Sequence, residues 1–149
     1  AKHICEPYRA ERLTGAALVF ACATPDVNAR VVADAHARGL WVNAASSPGE
    51  GDFVLPAVVR RGPFTLAVGT EGASPALARR VRERLEAEYD DAFGAWVRLL
   101  AEVRAEVLQR VPDEATRREL LDAFAGWGWL ERLRAEGEGA VRKAMWAML

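Results

Sequence analysis

The chain has 149 residues, enough for one domain with a sizeable core, or for one domain and a small appendage. Its 20 basic residues against 21 acidic ones leave a net charge of −1, which argues against a general nucleic-acid or membrane-surface binder. Cys5 and Cys22 are the only cysteines, no C-x-x-C pair offers a structural zinc site, and a reducing cytoplasm is the expected setting. No apolar run approaches the roughly 18 residues of a membrane span, and no signal peptide is visible.

The first strong element is "AALVFACA" (16–23), a continuous apolar run that reads as a parallel strand buried on both faces. A domain rarely opens on such a strand, so an upstream segment is expected. Pro25 or Asp26 starts a helix in which Val27, Val31 and Ala35 recur at helical spacing, and Gly39 stops it. "LWVNAA" (40–45) then reads as a second buried strand, completing a βαβ unit. "FVLPAVV" (53–59) and "FTLAVGT" (64–70) follow, linked by Arg-Arg-Gly-Pro as a hairpin, with Pro56 placing the first at an edge or bulge.

From Ser74 the pattern becomes helical. Ser74 suits an N-cap and Pro75 the first helical position, where its missing N–H costs nothing. Leu77, Val81 and Leu85 form one stripe, with Arg79, Arg80, Arg82 and Arg84 on other faces. Tyr89, Phe93, Trp96, Leu100, Val103 and Val107 then make a heptad seam, which suits packing against another helix. Pro112 ends that run, Asp113 can cap a helix through Ala125, and two short helices are expected near 127–135 and 138–148. The fold class is therefore α/β: a partial Rossmann-like dinucleotide-binding domain with a parallel sheet plus hairpin over 1–72, and a helical region over 73–149.

In open α/β sheets ligands bind outside the carboxyl ends of the strands. Three polar segments are expected there: "ATPDVN" with Ala23, Thr24 and Asn28; "NAASSPGEGD" with Asn43, Ser46 and Asp52; and "TEGAS" with Thr70, Gly72 and Ser74. Each alone is explained by turn chemistry and helix capping; their shared edge is what favours a site. The arginines after Ser74 are an ordinary solvated face on the same terms, or a positive field beside a helix N-terminus for an acidic ligand. His3 and His36 have no partner at metal-ligand spacing, and no metal site is expected.

The ordered series A-T-x-x-x-N, a V-N strand with a turn ending in Pro, D-F-x-x-P-A, R-R-G-P and G-x-S-P-x-L-A-R resembles the siroheme synthase N-terminal family over roughly residues 3–90. That resemblance implies NAD-dependent dehydrogenation of precorrin-2 to sirohydrochlorin, and in many members insertion of Fe²⁺ as well. It implies that Ala23, Thr24 and Asn28 line the cofactor side, that Asn43, Thr70, Gly72, Ser74 and Arg79 face the macrocycle, and that the helical region forms a homodimer through the 89–107 seam. The family's glycine-rich nucleotide turn does not occur in this sequence, and Ser46 stands where members commonly carry an aspartate base. Ser46 and Asp52 are the residues left to serve as catalytic groups. Two other readings stay open: a tetrapyrrole-binding or chelatase-type module without redox activity, and a structural dimerisation fragment.

Overall fold

The computed structural model describes residues 3–149. The chain divides into two compact units, one of 1–56 with 69–75 and one of 57–68 with 76–149. The hairpin thus groups with the helices, whereas the sequence reading placed it in the first half.

The first unit is built on β1 (Leu18–Ala21), α1 (Pro25–His36) and β2 (Trp41–Ala44), with β1 and β2 parallel. Register pairs Leu18 with Trp41 and Ala21 with Ala44. Gly39, at a φ of 66°, turns the chain out of α1, and Leu40 N–H closes on the Ala35 carbonyl. A 3-10 turn (Ala10–Leu13) precedes the sheet, and Leu13 joins Val19, Ala21, Val31, Val32, Ala35, Val42 and Ala44 in one core. Tyr8 binds Asp34 through its hydroxyl at 3.0 Å, and burial together with that carboxylate raises the phenol's pKa.

Burial of β1 alternates, contrary to the expectation of a strand covered on both faces. Val19 and Ala21 face α1, while Leu18, Phe20 and Trp41 remain 50–61 % exposed on the other side. The strand period of two assigns the faces, and α1 covers only one of them. Phe53 stands edge-on to Phe20 at 5.5 Å. The second expected strand pair also shifts. β3 is Ala57–Arg61, not 53–59, and pairs antiparallel with β4 (Phe64–Val68). Residues 53–56 are drawn off because the Phe53 carbonyl accepts from Asn43 Nδ2 at 2.8 Å, and Pro56 brings no N–H to a ladder.

The second unit adds α2 (Pro75–Glu88), α3 (Asp91–Arg110), α4 (Glu114–Phe124), α5 (Gly128–Glu136) and α6 (Glu138–Trp146) to the hairpin. Asp90 and Asp113 cap α3 and α4 through Phe93 N–H at 3.0 Å and Thr116 N–H at 2.8 Å. Arg134, by its side-chain hydrogen bond, and the Phe93 N–H hold the Asp90 carboxyl below the usual range. The α3 face of Phe93, Trp96, Leu99, Val103 and Val107 is buried against Phe124, Leu130, Leu133, Val141 and Met145.

The seam expected over 89–107 packs against other helices of the same chain: Phe93, Trp96, Val103 and Val107 are buried, while Tyr89 and Leu100 are only partly covered. Leu99 is fully buried and Leu100 only partly, because several helices wrapping α3 bury a broader stripe than a two-helix seam does.

At Gly94, α3 packs directly against the hairpin. A Cβ placed there would come within 2.8–3.0 Å of the Arg61 carbonyl oxygen, carbon and Cβ. Gly94→Ala is therefore expected to destabilise the helical unit by about 1–3 kcal/mol despite the better helix propensity of alanine. Urea unfolding checks it, and a variant as stable as wild type would show that the hairpin yields.

Candidate functional site

The site is assembled where β1 and β2 end. Beyond Ala21 the chain passes through exposed Cys22, Ala23 and Thr24 into α1. Asn28, in the first turn of that helix and 3 % exposed, folds its amide back on the passage. Its Oδ1 accepts from Ala23 N–H at 2.7 Å, while Nδ2 donates to the Ala23 carbonyl at 3.2 Å and to Ser46 Oγ at 2.8 Å. One buried amide thus ties the end of β1 to the turn after β2. The first two polar segments do meet, and Asn28 is the joint. Its polar atoms are spent on protein, so it positions the rim.

Ala23 and Thr24 lie on the open side of that joint. Thr24 occupies the N-cap of α1, yet its side chain makes no capping bond and stays exposed. Its hydroxyl and the small Ala23 leave the strand end accessible beside a helix N-terminus, where anionic groups are favoured.

Asp52 is elsewhere. A 3-10 turn (Pro48–Glu50) reverses the chain after β2, so residues 51–53 run back along that strand. Asp52 Oδ2 accepts from Val42 N–H at 2.8 Å and stands 3.3 Å from His36 Nε2, while Asp52 N–H donates to the Val42 carbonyl at 2.8 Å. Gly51 permits this, because a Cβ there would meet Ala44 N and Val42 O at 2.9 Å. Asp52 therefore braces the amino half of β2 and Ser46 lies beyond its carboxyl end. The two residues expected to share the chemistry do not share a location. A cavity of about 240 Å³ lined by His36, Gly39, Leu40, Trp41 and Asp52 adjoins the brace. The pairing of Asp52 with His36 left no trace in the sequence, since it depends on a chain reversal that brings the last residue of α1 against a loop.

Asn43 is 9 % exposed and holds the Phe53 carbonyl, so it too is committed to the fold. The segment 69–75 belongs to the same compact unit. Within it, Glu71 (φ 50°) and Gly72 (φ 82°) make the two positive-φ positions of a tight turn closed by Ala73 N–H on the Thr70 carbonyl at 2.8 Å. Gly72 is the residue such a position favours, and Glu71 accepts the strain. Thr70 Oγ1 accepts from Ser74 N–H at 3.2 Å, aligning the entry to α2. Arg79, in the helical unit, is exposed and lies 3.8 Å from Glu83 one turn on.

An NAD(P)-binding family model matches residues 1–57, and the sirohaem biosynthesis protein central model matches residues 61–88. Siroheme synthase 1 of Halorhodospira halophila is 34 % identical over 148 residues, covering 96 % of this chain and 31 % of the relative. A siroheme synthase of Gluconacetobacter diazotrophicus is 42 % identical over 114 residues, 75 % of this chain and 24 % of its own length. The chain therefore spans about a third or less of these relatives. Among solved structures, SirC, a precorrin-2 dehydrogenase, superposes with a TM-score of 0.70 at 21 % identity, covering 95 % of this chain and 66 % of that one, a likeness of fold. With both family models matched and siroheme synthases 34 % and 42 % identical to it, the chain belongs to the siroheme synthase N-terminal family.

Proposed function

We propose that the chain forms part of an NAD-dependent dehydrogenase that converts precorrin-2 to sirohydrochlorin. The observation that carries this reading is the rim: two parallel strands end together, locked by Asn28, beside an exposed helix N-terminus. That is where a dinucleotide lies in folds of this class. Ala23 and Thr24 fit the cofactor, both being small and exposed, with the Thr24 hydroxyl making no capping bond. When bound, NAD⁺ supplies the hydride acceptor. The chain's own residues position the reactants and exclude competing contacts, and the proton released with the hydride leaves to solvent or to a base.

Ser46, Thr70 and Ser74 offer short polar side chains for a macrocycle rich in carboxylates. Arg79, in the helical unit, is paired with Glu83, an exposed ion pair of small worth. A homodimer remains part of the proposal. No described helix is long and apolar enough to cross a membrane.

The test is turnover by the full-length protein with precorrin-2 and NAD⁺. Sirohydrochlorin absorbance and NADH should rise together in equal amounts. Binding or metallation of sirohydrochlorin with no nucleotide-dependent turnover would overturn the reading in favour of a non-redox tetrapyrrole module.

A further inference from the structure

We propose that Ser46 presents a hydrogen-bond donor, and not a proton acceptor, to the ligand, and that its partner is a carboxylate of the macrocycle. The inference rests on the function proposed above and assigns one residue's role within it.

Hydrogen-bond logic at Asn28 leads to it. The Ala23 backbone N–H can only donate, so the Asn28 atom 2.7 Å from it must be the amide oxygen. The amide nitrogen is thereby assigned to the other side, facing the Ala23 carbonyl and Ser46 Oγ. Ser46 Oγ consequently accepts from Nδ2, and its own hydrogen cannot point back at a donor. Among the described residues no other group bonds this hydroxyl, and Ser46 is exposed. The O–H is directed outward at the carboxyl end of β2.

The chemical consequence is a reversal of polarity. An aspartate at this position would offer an acceptor and a base to the rim. The serine here offers a donor whose oxygen is already engaged by an amide N–H. A donor so placed selects an acceptor on the ligand, and an acid-rich macrocycle brings carboxylates. It also means that residue 46 does not take the proton released in the dehydrogenation.

Three variants of the full-length protein test this, with sirohydrochlorin and NAD⁺ titrated separately. Ser46→Ala should weaken sirohydrochlorin binding about tenfold, the scale of one hydrogen bond to a charged group, and leave NAD⁺ binding unchanged. Ser46→Thr, which keeps the hydroxyl, should restore it. Ser46→Asp should bind sirohydrochlorin more weakly than Ser46→Ala, because a carboxylate would then face carboxylates. Unchanged affinity in Ser46→Ala, tighter binding in Ser46→Asp, or a loss confined to NAD⁺ would each overturn the proposal. The Asn28–Ser46 bond, on which the assignment rests, has its own readout in the side-chain amide NMR signals of Asn28. Those signals should move in Ser46→Ala while the Ala23 amide stays put, and unmoved Asn28 signals would overturn the geometry. A wild-type protein that binds no sirohydrochlorin would sink the functional reading and the carboxylate with it, and the amide signals would still decide whether Ser46 Oγ is held by Asn28.

Discussion

Phe124→Ala should destabilise the helical unit by about 3–5 kcal/mol, close to the whole stability of many small domains. Phe124 closes α4 and is fully buried, packed in a cluster with Leu99, Val103, Val107, Leu130, Val141 and Met145. Its ring lies 5.9 Å from Trp129, whose indole N–H donates to the Ala123 carbonyl at 3.0 Å. The ring thus sits where the end of α4, the start of α5 and the middle of α3 must agree. Removing it opens a cavity that relaxation fills only in part, because the surrounding side chains are anchored on separate helices. Leu108, 48 % exposed, is the control, and its change to alanine should cost no more than about 0.5 kcal/mol. Urea unfolding by circular dichroism reads both. If the Phe124 variant lost less than its control, α4 would not be part of the packed unit.

Asn28→Ala should be the most damaging single change at the rim. It deletes the acceptor for Ala23 N–H, the donor to the Ala23 carbonyl and the donor to Ser46 Oγ in one step. Water can reach exposed Ala23, so the stability loss should be modest, about 2 kcal/mol. The functional loss should be larger. The ends of β1 and β2 would no longer be fixed to each other, and misplacement by an ångström costs on the order of a hundredfold in turnover. We therefore expect kcat/KM to fall roughly a hundredfold while the variant remains folded at room temperature. Amide hydrogen exchange in residues 45–51 should rise at the same time. A variant that turns over like wild type would remove Asn28 from any part in the site.

These expectations rest on features of unequal visibility in the sequence. The helices were legible because their signals are local. Pro25 and Gly39 bracket α1, Pro75 opens α2, and Pro112 with Asp113 separates α3 from α4. Each acts on its own turn of backbone and needs nothing distant. The order of motifs was legible for the same reason, and with it the family.

The site was only half legible. The polar residues near the strand ends could be named, since strand ends and helix starts are local events. Their division of labour could not. Asn28 and Ser46 are 18 positions apart and Asp52 is 16 from His36, so their bonds exist only once α1 has packed on the sheet.

Thus the sequence by itself determined the helices, the parallel pairing implied by a βαβ unit, and the family to which the chain belongs. Only the tertiary structure decided which face of β1 is covered, that the α3 stripe packs against helices of the same chain, and that Ser46 and Asp52 stand at opposite ends of β2. Local propensity acts over a few residues and is written in their identities. Burial and hydrogen-bond partnership depend on which distant surfaces the chain reversals bring together, and here one glycine, Gly51, admits the reversal that separates the two residues.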